Sequence, residues 1–289
     1  YLSVNQTKKG FNNIKRCAII GITIKKCKYN GGLCEMGKFD GVLLCSDLDG
    51  TLTNSQSNIT PNVIESIRYF QQNGGIFTIA SGRLPDYLSN FVKLLSIKVP
   101  VICHNGAAIY SYEKKRFLMK NYLDPKVSEL LNFVCEHYDC VKFFYLHALE
   151  KSYTFSASQK EELLEAFYTQ DWCKVVLHMD SEDNAIKLRD DLRSSIYGDQ
   201  YSFVRSWPIG LEILGIGSSK GDSVKILRTL IPNINKVICV GNYENDITML
   251  EYADIGYAVQ NAYKDVLDAA DRITVSNDED AIAHIISEL

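Results

Sequence analysis

The chain has 289 residues, of which 46% are apolar, so it can bury a sizeable core in one large domain or two of ordinary size. Its net charge of −4 argues against a general nucleic-acid-binding surface. The apolar stretch at residues 17–24 is far shorter than the roughly 18 residues that a membrane span needs. The sequence therefore predicts neither nucleic acid nor a membrane as a partner.

The nine cysteines show no C-x-x-C pair and no spacing with histidine that is typical of a metal site. Their number is odd, and Cys45, Cys103 and Cys239 lie in apolar runs typical of strands. We therefore expect reduced, buried thiols and a cytoplasmic location.

Residues 1–40 differ in composition from the remainder of the chain. They carry eight Lys or Arg residues against Glu35 and Asp40, which makes the segment +6 and leaves −10 for the rest. No helical periodicity of apolar residues persists through this segment. The sequence predicts an N-terminal basic extension over residues 1–40 that takes no part in catalysis.

From residue 41 onward, apolar runs alternate with segments of helical spacing. Three short runs, at 41–46, 76–80 and 99–103, are typical of strands buried on both faces. The segments between them, at 61–73 and 84–95, have the spacing of amphipathic helices. This β-α-β-α-β order predicts a parallel sheet covered by helices on both faces.

The C-terminal part repeats this alternation, with strands predicted at 236–240, 254–259 and 272–275. The region between the two parts has a hairpin pattern at 107–121, followed by strands and helices that do not alternate regularly. The predicted fold class is therefore α/β, with a doubly wound, Rossmann-like parallel-sheet core formed by residues 41–107 and 210–289. An inserted α+β domain is predicted over residues 108–209.

Two acidic residues, Asp47 and Asp49, directly follow the first predicted strand in the sequence D-L-D-G-T. Ligands of open α/β sheets bind beyond the carboxyl ends of the strands, which is where both acids are expected. A strand-end Asp can be a metal ligand, a nucleophile or both, and a second Asp can donate and accept a proton. The alternative, an Asx turn, is less compatible with D-x-D-G-T after an apolar strand.

Three further segments place polar residues at the starts of helices. The hydroxyl and backbone N–H groups of Ser81-Gly82-Arg83 can bind an anion, although a helix N-cap explains Ser81 equally well. Lys220 begins a helix after a Gly- and Ser-rich loop, and a lone lysine is usually solvated. Asn242, Asn245 and Asp246 follow another strand and suit either a helix cap or a hard cation with oxygen ligands.

Taken in chain order, the segments that begin at Asp47, Ser81, Lys220 and Asn242 resemble the four motifs of the haloacid dehalogenase (HAD) superfamily. The resemblance is closer to its Cof-type sugar-phosphatase subfamily and covers residues 41–289. It also includes residues 79–83, 105–107, 219–221, 245–250 and 259–262. It implies a HAD core with the inserted domain as a cap that closes over the site.

The resemblance implies that Asp47 attacks phosphorus and forms an aspartyl-phosphate, and that Asp49 protonates the leaving oxygen and then activates water. It implies that Lys220 offsets negative charge at the site. Substrate and phosphate binding would involve Thr51, Ser81, Gly82, Arg83, Asn105 and Asn245. The implied cofactor is Mg²⁺, with ligands from Asp47, the main-chain carbonyl of Asp49, Asn242, Asn245 and Asp246.

One residue departs from the family pattern, because Asn242 occupies the position of a usual metal-binding Asp. A neutral amide oxygen attracts Mg²⁺ less strongly, so we expect weaker affinity. The implied function is a Mg²⁺-dependent phosphatase for small phosphorylated metabolites, usually sugar phosphates. The alternatives are a phosphomutase of the same superfamily and a catalytically weakened binding or regulatory protein, which only Asn242 favours.

Overall fold

The structure is a computed structural model that describes residues 37–289. Most of the predicted basic extension, residues 1–40, lies outside the described residues. Its last four residues belong to the folded part, because Phe39 is buried against the ring of Phe70 and its N–H donates to the carbonyl of Asn73 at 2.9 Å. The described part of the chain contains no helix that is long and apolar enough to cross a membrane.

The helices and strands follow the predicted order closely. In chain order they are β1 (Val42–Ser46), α1 (Pro61–Gln72), β2 (Ile76–Ile79), α2 (Pro85–Leu94), β3 (Val101–Cys103), β4 (Ala108–Ser111), β5 (Arg116–Lys120), α3 (Val127–His137), β6 (Val141–His147), β7 (Ser152–Ser156), α4 (Lys160–Ala166), β8 (Lys174–Met179), α5 (Glu182–Arg193), β9 (Tyr201–Trp207), β10 (Gly210–Gly215), α6 (Lys220–Leu230), β11 (Lys236–Gly241), α7 (Ile247–Tyr252), β12 (Ile255–Val259), α8 (Lys264–Ala269), β13 (Arg272–Thr274) and α9 (Ala281–Glu288).

The core contains a five-stranded parallel sheet in the order β13-β12-β11-β1-β2. Its middle strands are apolar on both faces, and Leu43, Leu44 and Cys45 of β1 are fully buried. The next strand, β3, joins β2 through one parallel bridge between Ala80 and Ile102. The predicted α/β fold with a doubly wound parallel core is therefore confirmed.

The inserted domain has a separate antiparallel sheet in the order β7-β6-β8-β10-β9. Its helices bury Leu130 of α3 and Leu188 of α5 in one apolar cluster with Phe144, Val175 and Ile213 of the sheet. The core and the inserted domain thus have separate sheets rather than one continuous sheet.

The chain passes from one sheet to the other at residues that differ from the predicted boundaries, 108 and 209. The hairpin β4–β5 extends β3 of the core, with Ile102 opposite Ile109 and Ile109 opposite Met119. Strand β10 pairs with β8 and β9 of the inserted domain. Apolar periodicity indicates a strand but not its partner, which explains the difference. We therefore propose a cap of about residues 122–215 within a core of 37–121 and 216–289.

Candidate active site

The segments that carry the sequence motifs meet at the carboxyl edge of the core sheet. A cavity of about 640 Å³ lies between this edge and the antiparallel sheet of the cap. Its core side includes Asp47, Asp49, Gly82, Arg83, Asn242 and Asn245, and its cap side includes Tyr145, His147, Lys174, His178, Trp207 and Glu212.

The chain turns sharply after β1, so that Asp47 and Asp49 of the D-x-D-G-T motif line the same cavity. The N–H of Asp47 donates to the carbonyl of Val240 at 2.9 Å, which continues the pairing of β1 with β11. A tight turn, Leu48–Leu52, follows, in which the backbone of Asp49 and Gly50 is not helical. Gly50 adopts φ 78° there, and a Cβ atom on it would lie only 2.7 Å from Nδ2 of Asn242. The positive φ favours glycine at this position, and a larger residue would also push against the side chain of Asn242.

Lys220 lies between two carboxylates in the interior. Its Nζ is 2.6 Å from Oδ1 of Asp47 and 2.6 Å from Oδ1 of Asp246, and its side chain is fully buried. Burial lowers the pKa of Lys220, but Asp246 and Asp47 outweigh burial and raise the pKa above its usual value. The sequence alone allowed Lys220 to be an ordinary solvated lysine. In the structure it is a buried cation within the site.

The surroundings of Asp47 favour the protonated form of its carboxyl group more than a solvent-exposed position would. Burial, followed by the charge of Asp246, raises the pKa of Asp47 to about 7, and Lys220 only partly offsets this rise. A cation bound beside Asp47 would favour the charged form.

Asp246 has both carboxylate oxygens occupied by donors from the protein. Oδ2 accepts from the backbone N–H groups of Asn242 and Tyr243 at 2.9 and 3.0 Å, and Oδ1 contacts Lys220. This geometry suits a residue that holds the lysine and shapes the loop.

Asp49 and Arg83 form a two-pronged ion pair at the cavity wall. Nε of Arg83 is 3.1 Å from Oδ2 of Asp49, and Nη2 is 3.2 Å from Oδ1. Both side chains are about half exposed, at 48% and 47%, and the guanidinium lies over the ring of Tyr87 at 4.7 Å. Arg83 therefore orients Asp49 in addition to facing the cavity.

Ser81 is buried at the end of β2, beside the turn that contains Asn105. Its Oγ accepts from the N–H of Arg83 at 3.2 Å, which leaves the hydroxyl proton for a ligand oxygen. A Cβ atom on Gly82 would lie 2.9 Å from the amide of Asn105, so the backbone and that side chain are closely packed.

Asn242 and Asn245 line the same cavity as Asp47, and their amide oxygens have the chemistry that suits a hard cation. Oδ1 of Asn242 accepts from Oγ1 of Thr51 at 3.1 Å, whereas Oδ1 of Asn245 is buried without a hydrogen-bond partner. Among residues 37–289 no three His, Cys, Asp or Glu side chains form a metal-binding group. One carboxylate and two amide oxygens nevertheless match the oxygen ligands that Mg²⁺ prefers, so the residues fit this ion.

Sequence reasoning missed a buried charged cluster on the cap side of the cavity. Oε2 of Glu212 accepts from Nζ of Lys174 and from Nδ2 of Asn105, each at 2.8 Å, and Oε1 accepts from Ser206. Burial raises the pKa of Glu212, but Lys174 and the three hydrogen bonds outweigh burial and lower it. The available signal was an acidic residue within the apolar run of β10.

A second missed cluster joins the cap to the loop that contains Asn245. Glu244 lies 2.6 Å from Arg189, 2.6 Å from Arg193 and 3.2 Å from Arg205, and its side chain is 10% exposed. These arginines are distributed over α5 and β9, so no local spacing in the sequence indicated their common partner.

Comparisons with known proteins agree with this architecture. The sequence profile of the haloacid dehalogenase-like hydrolases matches residues 44–286. YxeH of Bacillus subtilis is 29% identical over 86% of this chain and 97% of its own length. The 5-amino-6-(5-phospho-D-ribitylamino)uracil phosphatase YitU of Bacillus subtilis is 25% identical over 85% of this chain and 96% of its own length.

Among solved structures, the HAD subclass IIB sugar phosphatase BT4131 has the same fold, with a TM-score of 0.71 at 21% identity. The similarity covers 85% of this chain and 98% of BT4131. The predicted resemblance to Cof-type HAD hydrolases is confirmed. Because the profile extends over most of its length, this chain belongs to the haloacid dehalogenase-like hydrolase family.

Proposed function

We propose that this enzyme hydrolyses phosphate monoesters of small metabolites, principally sugar phosphates, through an aspartyl-phosphate on Asp47. The observation that carries the proposal is the buried group of Asp47, Lys220 and Asp246 beside the cavity. A carboxylate and a phosphoryl group are both anions, so a neighbouring buried lysine lowers the cost of bringing them together. The names of YitU and BT4131, both phosphatases, support the same reaction class.

In the proposed reaction a carboxylate oxygen of Asp47 forms a bond to phosphorus as the bond from phosphorus to the leaving oxygen breaks. Asp49 donates a proton to that oxygen. It later takes a proton from the water whose oxygen bonds to phosphorus, as the bond from phosphorus to Asp47 breaks and inorganic phosphate leaves. Both oxygens of Asp49 accept hydrogen bonds from Arg83, so Asp49 acts as the acid only after Arg83 releases one oxygen and that oxygen takes up a proton. The Ser81 hydroxyl is proposed to donate to a phosphoryl oxygen.

We propose that Mg²⁺ is held by Asp47, the main-chain carbonyl of Asp49, Asn242 and Asn245. The unpartnered, buried Oδ1 of Asn245 supports this assignment, because such an acceptor ordinarily has a partner. A bound Mg²⁺ neutralises charge on the transferring phosphoryl group. Asp246 is proposed to position Lys220 instead, since both of its oxygens already accept from protein donors.

We also propose a cytoplasmic location. The six cysteines within residues 37–289 all have free thiols. Several free thiols in one fold are typical of a reducing compartment.

The test is a screen of sugar phosphates and nucleotide phosphates with and without Mg²⁺, in which released inorganic phosphate is measured. We expect release of phosphate from sugar phosphates that depends on Mg²⁺. An isomeric sugar phosphate without free phosphate would instead identify a phosphomutase. A folded protein that converts none of the compounds would contradict the proposal and favour a binding or regulatory role, which Asn242 alone supports.

Asn242→Asp is expected to lower the Mg²⁺ concentration for half-maximal rate. The substitution adds roughly one negative charge next to a partly dehydrated cation, and opposite charges in contact attract strongly there. The Thr51 hydroxyl can still donate to a carboxylate at this position. The maximal rate need not rise, because a more tightly held cation can slow the release of phosphate.

The measurement is a Mg²⁺ titration of wild type and N242D with one substrate. Asn233→Asp, in the turn that follows α6, is a control with the same change of charge away from the cavity lining. Coincident curves for wild type and N242D would mean that Asn242 does not contact the ion.

A further inference from the structure

A chain of side-chain hydrogen bonds runs from the cap to the loop that follows β11. Nδ2 of Asn105 donates to Oε2 of Glu212 at 2.8 Å, and Nδ2 of Asn245 donates to Oδ1 of Asn105 at 3.0 Å. Asn105 and Glu212 are 1% exposed. The chain ends at Oδ1 of Asn245, which is buried, has no hydrogen-bond partner and belongs to a residue that lines the cavity.

The chemistry of these groups determines the direction of every bond in the chain. An ionised carboxylate only accepts hydrogen bonds, so Asn105 must turn its NH₂ group toward Glu212. The oxygen of Asn105 then faces Asn245, which must supply its own NH₂ group. The remaining atom of the Asn245 amide, Oδ1, is thereby directed away from Asn105.

Glu212 is itself held firmly in the acceptor role. Nζ of Lys174 and Nδ2 of Asn105 share the same oxygen, Oε2, and Ser206 donates to the other oxygen. Lys174 is 3% exposed and can only donate. Any reversal of the Asn105 amide would place its oxygen against the carboxylate and leave its NH₂ group facing that of Asn245.

We infer that Glu212 is a positioning residue for the cation site, acting through Asn105 to direct Oδ1 of Asn245 toward the ion. The inference rests on the proposed Mg²⁺-dependent function. The unpartnered lone pairs of this oxygen would repel a phosphoryl oxygen, but they suit a cation or a hydrogen-bond donor. The cap thus contributes to the cation site through a carboxylate that does not contact the ion.

The test compares two double variants, K174M/E212Q and K174M/E212M. Both remove the buried ion pair and leave the same net charge, and the introduced side chains are of similar size. Replacing both members of a buried ion pair by uncharged groups is often neutral for stability, whereas removing one member is costly. The two variants differ chiefly in whether residue 212 can accept a hydrogen bond from Asn105.

Mg²⁺ affinity is measured without substrate, from the rise in the midpoint of thermal unfolding during a Mg²⁺ titration. We expect K174M/E212Q to bind Mg²⁺ nearly as tightly as wild type, because the Gln oxygen can still accept from Asn105. We expect K174M/E212M to bind about 10- to 100-fold more weakly, the usual effect of losing a residue that orients a metal ligand. Equal affinities of the two variants would overturn the inference.

Asn105→Gly provides a second test that leaves Lys174 and Glu212 intact. Asn105 has φ 55°, a conformation that glycine adopts without strain, so the backbone of this variant should be retained. Without Oδ1 of Asn105, the amide of Asn245 loses its fixed direction, and Mg²⁺ affinity should fall as in K174M/E212M. Unchanged affinity of N105G would also overturn the inference.

The experiment separates the two hypotheses. If wild type takes up no Mg²⁺ in the titration, both the proposed cofactor and the positioning role are wrong. If wild type binds Mg²⁺ and the variants with and without the acceptor do not differ, the positioning role alone is wrong.

Discussion

Asp47→Asn is expected to lower kcat by about 10³-fold or more while the fold is retained, because an amide cannot act as the anionic nucleophile. The substitution also removes a charged ligand from the proposed cation site. The side chain keeps its size, and Oδ1 can still accept from Lys220. The measurements are steady-state phosphate release and thermal unfolding of both proteins.

Asp199→Asn is a suitable control, since Asp199 is exposed on the cap and lies outside the cavity lining. Its activity should equal that of wild type. Rapid acid quenching of wild type during turnover, followed by mass spectrometry, should locate a phosphoryl group on the peptide that contains Asp47. Residual activity of D47N above about 10% of wild type would contradict its assignment as the nucleophile.

Lys220→Met is expected to damage both stability and activity. The variant leaves Asp47 and Asp246 buried beside each other without the cation that lies 2.6 Å from each. Removing one partner of a buried charge pair typically costs about 3–5 kcal/mol of unfolding free energy. Turnover should also fall by about 10³-fold or more, because the phosphoryl group would meet uncompensated negative charge.

The matched control for this variant is Lys225→Met on the same helix, α6. Lys225 is 56% exposed and pairs with Asp222 at the surface, so its loss should change the unfolding free energy by less than about 1 kcal/mol. Urea unfolding of the three proteins gives the comparison. If K220M is as stable as K225M, the buried lysine does not offset the two carboxylates as the geometry suggests.

The order of the helices and strands could be predicted almost completely, because each depends on local pattern. Thr60 and Pro61 mark the start of α1, and the Thr60 hydroxyl does accept from the N–H of Val63 at 3.2 Å. Four of the five residues of β1, from Leu43 to Ser46, are buried, as expected for a strand in the middle of a parallel sheet. Such signals act over a few residues and therefore remain visible in one sequence.

Partners of individual strands and side chains could not be predicted in this way. Strand β10 has the same apolar pattern whether it joins the core or the cap, and only its pairing with β8 and β9 assigns it to the cap. Likewise, Lys220 reads as an ordinary helix residue until folding brings it between Asp47 and Asp246.

The sequence by itself determined the α/β fold class, the family resemblance and the edge of the sheet where the polar motifs gather. Alternating apolar runs and the residues that directly follow strands are sufficient for those conclusions. Only the tertiary structure decided that Asp246 holds Lys220 and that Glu212 binds Asn105. The last two residues are 107 positions apart. Their contact depends on the packing of the cap against the core, and no short-range pattern encodes that packing.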